Sequence, residues 1–141
     1  MTQLAQKADI HRNTVLNYLI YLENARLIRL VQAKGAGISI LHKPGKIYLN
    51  NSNLAFALAT DVPNMGTLRE TFFASQVGVN HSLTIPDEGD FLVDGKILFE
   101  IGGQQKSHRQ IADLNNSYVI RDGIEFAVGK KLPLWLFGFL Y

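Results

Sequence analysis

Apolar residues along this chain change their spacing several times, and each change marks an element. Residues 2–8 place Leu4, Ala5 and Ala8 on one side, which predicts a short helix. The pattern breaks at Asp9 and Ile10. It resumes over residues 12–24, where Val15, Tyr18, Leu19 and Leu22 recur at steps of three and four, so a second helix is expected. Two helices joined this tightly fit a helix-turn-helix unit, with Asp9 tolerating the left-handed conformation of the turn.

Residues 27–33 and 38–41 are rich in aliphatic and β-branched side chains, and Lys34-Gly35-Ala36-Gly37 joins them, so they read as a hairpin. A further short strand is expected at residues 46–49. Helix, turn, helix, hairpin is the order of a winged helix. An earlier helix, which would cover the apolar side of the first two, is missing from it.

Asn51 and Ser52 open a helix through Leu58, and a stronger helix follows over residues 67–77 with Leu68, Phe72 and Phe73 on its apolar side. Thr67 and Glu70 match a capping box there. Strands are then expected at 83–85, 90–93 and 96–101, a polar helix at 106–114 and a strand at 118–121. The apolar stretches at 125–128 and 133–140, with Trp135, Phe137 and Phe139, read as buried core. The fold expected is α+β. A partial winged helix occupies residues 1–50, and a restriction-endonuclease-like α/β domain occupies residues 51–141.

Candidate chemistry lies in the segment Asp90-Phe91-Leu92-Val93-Asp94-Gly95-Lys96-Ile97-Leu98-Phe99-Glu100-Ile101-Gly102. Asp94-Gly95 between two alternating runs signals a hairpin, and its loop length decides which side chains share a face. A two-residue loop pairs Val93 with Lys96 and separates Asp90 from Glu100. A three-residue loop pairs Leu92 with Lys96 and puts both carboxylates on one face. Only the second gathers Phe91, Val93, Ile97, Phe99 and Ile101 on a wholly apolar face, so the carboxylates are expected to be neighbours.

Asp90, Glu100 and the helical Glu70 would then supply oxygen ligands for one Mg²⁺, able to polarise a phosphodiester and activate water. Helix, three strands, helix, strand around an acidic ribbon resembles the PD-(D/E)XK nuclease fold. That resemblance implies Asp90 and Glu100 as the strand acids, Glu70 as the helical one, and a lysine two residues beyond Glu100. Gly102 stands there instead, and Lys106 is the candidate replacement from the following helix. Two readings stay open: a metal-dependent nuclease, or a relic kept as a binding surface.

Asn13-Thr14-Val15, Tyr18-Leu19, Lys46-Ile47-Tyr48-Leu49, Gly66-Thr67-Leu68-Arg69-Glu70, Asp90-Phe91-Leu92-Val93, Phe99-Glu100-Ile101-Gly102-Gly103 and the stretch from Pro133 to Tyr141 follow in order. Together they resemble the domain of unknown function that follows the ATPase domain in a prokaryotic AAA family. The likeness runs essentially from end to end and implies an upstream ATPase domain as partner. This chain has no phosphate loop: beside Gly45-Lys46, the positions needing Gly and Ser or Thr hold Ile40 and Ile47, and Lys131 follows Gly129-Lys130.

Charge narrows the partners only a little. Lys and Arg number 14 against 12 Asp and Glu, a formal net charge of +2, which permits a nucleic-acid partner without implying one. Arg12, Asn13 and Asn17 lie on the outward side of the second helix, where base-reading groups would sit on double-stranded DNA, and Lys34, Lys43 and Lys46 would add backbone contacts. Leu4, Val15 and Leu19 would drive self-association if left uncovered.

The chain has no cysteine, which excludes disulfides and thiolate metal sites. His11, His42, His81 and His108 show no ligand spacing, and His11 fits a helix N-cap. No Gly-x-Ser-x-Gly supports a serine hydrolase. The first ten residues have no signal-peptide pattern, and the longest apolar run is about half a membrane span, so a cytoplasmic protein without a membrane partner is expected.

Overall fold

The computed structural model describes residues 2–35, 44–105 and 115–140. The strand expected at 38–41, the helix expected at 106–114, and His42, Lys43, Lys106 and His108 lie outside them.

Two helices open the chain, α1 (Thr2–Ala8) and α2 (Arg12–Asn24). Asp9 between them takes a φ of 51°, as the turn requires. His11 caps α2, its Nδ1 accepting the Asn13 N–H at 3.3 Å. Val15 and Leu19 are not left open for self-association. With Ala5 they form a small core closed by Ile10, Ile28 and Leu30, two of which come from the next strand. Leu4 stays exposed.

Strand β1 (Ile28–Ala33) runs antiparallel to β2 (Lys46–Leu49), from Ile28 opposite Leu49 to Val31 opposite Lys46. Its far end pairs in parallel with β3 (Leu83–Ile85) through Gln32 and Ala33. Strands on both sides of residue 50 therefore share one sheet. Helix α3 (Ser52–Leu58) is capped by Asn51, whose side chain accepts the Asn53 N–H at 2.8 Å. Helix α4 (Met65–Val77) starts before Thr67, and Asn64 Oδ1 accepts the Thr67 N–H at 3.1 Å. The capping box expected of Thr67 and Glu70 does not form, because Asn64 fills the cap and the Glu70 carboxylate turns to β2.

Strands β3, β4 (Phe91–Val93) and β5 (Ile97–Gly102) form an antiparallel meander. Strands β6 (Ser117–Arg121) and β7 (Lys131–Pro133) then add in parallel. The mixed seven-stranded sheet has the order β2-β1-β3-β4-β5-β6-β7.

The β4–β5 turn has the three-residue length expected, but it spans Asp94 to Lys96, one residue later. Val93 faces Ile97 and Leu92 faces Leu98, not Lys96. Moving the loop by one residue moves each partner by two, so every side chain keeps its face. Asp94 and Gly95 hold φ values of 51° and 65° at this turn. The Asp94 carboxylate fastens it to the start of β3, accepting the Ser82 N–H at 2.9 Å and lying 2.7 Å from His81 Nδ1.

Under α4, Phe91, Val93, Phe99 and Ile101 form the buried apolar face, while Ile97 is partly open at its edge. Phe73 of α4 is fully buried, with ring centroids 5.3 Å from Phe91, 5.1 Å from Phe99 and 4.8 Å from Phe137. The C-terminal stretch departs from expectation. Leu134 and Phe137 enter the core, whereas Phe126, Val128, Trp135 and Phe139 are exposed. Leu134–Phe139 is a 3-10 helix, whose three-residue repeat sends positions 134 and 137 inward and leaves Trp135 and Phe139 to meet edge-on outside. Among the described residues, no helix is long and apolar enough to cross a membrane.

Candidate functional site

Asp90 occupies a bend just before β4, where its side chain completes the strand pairing. Its N–H donates to Phe99 O at 2.9 Å, and its Oδ2 accepts the Ile101 N–H at 2.8 Å. Burial holds the Asp90 carboxyl above the usual carboxylate range; the Ile101 N–H pulls the other way, Glu70 and Glu100 push it further up, and Lys46 lowers it. Glu100 lies on β5, only 3% exposed. The carboxylates of Asp90 and Glu100 are thus electrostatic neighbours, as the alternation in the ribbon predicts.

Glu70 reaches the cluster from α4. Its Oε2 accepts the Tyr48 hydroxyl at 2.6 Å and lies 3.0 Å from Lys46 Nζ. Both partners come from β2, two residues apart and therefore on one face of that strand. Lys46 Nζ also lies 3.6 Å from Asp90 Oδ1, so one ammonium bridges the helical carboxylate and the one just before β4. Burial first, and then the Glu70 carboxylate, raise the Tyr48 hydroxyl pKa well above its ordinary value, so it remains a protonated donor at neutral pH. Its ring packs 5.4 Å from Phe91.

Among the described residues a lysine does stand among the acids, and it comes from position 46; the candidate Lys106 lies outside the described residues. From the sequence Lys46 reads as an outer backbone contact and Tyr48 only as part of a short strand. The available signal was the alternation Lys46-x-Tyr48 within a short strand, but no local pattern says that β2 lies against α4.

The arrangement does not fit a Mg²⁺ ion. That cation needs near-octahedral oxygen ligands at about 2.0–2.1 Å. Here a lysine ammonium lies between Glu70 and Asp90, and Asp90 Oδ2 is engaged by the Ile101 N–H. Among the described residues, no group of three or more His, Cys, Asp or Glu is arranged to hold a metal. The cluster in this form fastens β2 to α4 and to the start of β4, and among the described residues it offers no open cation seat.

The expected DNA-contacting groups sit elsewhere. Arg12, Asn13 and Asn17 are exposed on α2, and Lys34 is exposed after β1. They do not join the acidic cluster.

No protein-family model, curated protein or solved structure matches the chain.

Proposed function

We propose that the chain is a non-catalytic binding and regulatory module of a cytoplasmic AAA-type ATPase, joined to an upstream ATPase domain and contacting duplex DNA through α2. The observation carrying the non-catalytic part is the Lys46 ammonium between Glu70 and Asp90. A tethered cation satisfies carboxylates that a metal-dependent nuclease must keep available to its ion.

Two features support the architecture proposed with it. A helix, three antiparallel strands and a further strand parallel to the third occur in the order of the PD-(D/E)XK fold. Ahead of them, two helices and an antiparallel strand pair follow the order of a winged helix without its first helix. The ATPase partnership rests on the ordered sequence words that resemble the C-terminal domain of a AAA family.

Two other readings compete with it. In one, the chain is a Mg²⁺-dependent nuclease using Asp90, Glu100, Glu70 and Lys106, favoured by the electrostatic coupling of the three carboxylates. In the other, it is a free-standing winged-helix DNA-binding regulator. Incubation with supercoiled plasmid and Mg²⁺ or Mn²⁺ separates the first of these from the proposal. The plasmid is expected to stay intact; nicking that disappears in Asp90→Ala would establish the nuclease instead.

A further inference from the structure

The outward face of α2 carries a chemistry more specific than positive charge. Residues advance by about 100° and 1.5 Å along a helix, so Asn13, Asn17 and Asn24 fall within a sector of roughly 40° that runs most of the length of α2. All three are exposed, outside the buried stripe of Val15, Leu16 and Leu19. Within the described residues, no hydrogen bond engages their side-chain amides. Tyr21 and Tyr18 lie along one side of the sector and are 63% and 52% exposed.

Charge around α2 is one-sided. Glu23 is the sole acid of α2, and its Oε1 is turned back to accept the Leu30 N–H at 2.8 Å. Asp9 lies in the turn before α2. Arg12 stands at the start of the helix, Arg26 just beyond its end, and Lys34 after β1, all exposed. A neutral amide stripe between cations is complementary to a polyanion whose groove displays paired donors and acceptors. An asparagine amide presents one donor and one acceptor side by side, the pattern that matches adenine N7 and N6 in the major groove.

We infer that α2 reads adenines in the major groove of duplex DNA through Asn13, Asn17 and Asn24, with Arg12 and Arg26 on the phosphates. This rests on the DNA-contacting part of the proposed function and adds a base preference to it. A good bidentate contact discriminates by about ten-fold or more against the wrong base.

The test is fluorescence anisotropy at low salt with labelled duplexes of equal length, one containing only A·T pairs and one only G·C pairs. The unmutated chain is expected to bind the A·T duplex at least about ten-fold more tightly. The triple variant Asn13→Ala, Asn17→Ala, Asn24→Ala should bind both duplexes equally while keeping salt-sensitive affinity. Alanine is the best helix former, so the variant should retain its fold, which circular dichroism checks. Equal binding of both duplexes by the unmutated chain overturns the base preference but leaves DNA contact standing. A preference that survives in the triple variant also overturns it, because the groove's shape and not the amides would then be read. Binding of neither duplex overturns the DNA reading itself.

Discussion

Lys46 and Glu70 form a 3.0 Å ion pair that fastens β2 to α4 across 24 positions of sequence. The same ammonium lies 3.6 Å from Asp90, so one side chain compensates two acids that would otherwise repel each other in a partly buried site. Removing it should leave both acids without their counter-ion. Lys46→Met is expected to lower stability by about 1–2 kcal/mol, moderated by solvent because Lys46 is 38% exposed. Urea denaturation measures this, and a change within about 0.3 kcal/mol would deny the lysine its structural role.

Tyr48→Phe keeps the ring against Phe91 and deletes only the hydroxyl that donates to Glu70 at 2.6 Å. A hydrogen bond to a charged group contributes about 1.5–3 kcal/mol, and a loss toward the lower end is expected. Since Lys46 and Tyr48 share Glu70 Oε2, the double variant should depart from additivity by about 0.5 kcal/mol or more. Additive losses would mean that the two contacts act independently.

Asp90 should leave a signature in the pH dependence of stability. Its folded-state pKa is raised, chiefly by burial. In the window above the ordinary carboxylate range the folded state therefore holds the proton more often than the unfolded one. Asp90's contribution is fully present below its unfolded pKa and is lost as pH rises through the folded value. Asp90→Asn, which keeps an oxygen for the Ile101 N–H, should gain stability relative to the unmutated chain as pH rises from about 4 to about 8. Parallel profiles across that range would contradict the assignment.

Phe73 sits at the centre of the core, fully buried and in contact with the rings of Phe91, Phe99 and Phe137. Phe73→Ala is expected to destabilise by about 3–5 kcal/mol, because a cavity forms where β4, β5 and the C-terminal 3-10 helix meet α4. Phe126→Ala, at a side chain 76% exposed, should change stability by less than about 0.5 kcal/mol. Paired denaturation curves check both.

Local pattern made much of this architecture legible. The bounds of α1 and α2 follow from apolar spacing, β2 lies where a short strand is expected, and the apolar face of the β4–β5 ribbon follows from its alternation. That alternation also brought Asp90 and Glu100 together even though the partner residues were two out of register. What stayed hidden depends on contacts distant in sequence. Nothing near Lys46 shows that β2 lies against α4, or that β1 shields Val15 and Leu19. At the C-terminus, a helix of three residues per turn exposed aromatic side chains that hydrophobicity alone assigns to the core.

Thermal melting of the unmutated chain, with and without millimolar Mn²⁺ or Mg²⁺, tests the account most directly, since a ligand that binds only the native state must raise its melting temperature. With Lys46 between Glu70 and Asp90, the melting temperature should not change. A rise of several degrees that vanishes in Asp90→Ala would show that the carboxylates are open to a divalent ion, and that the lysine does not close this site.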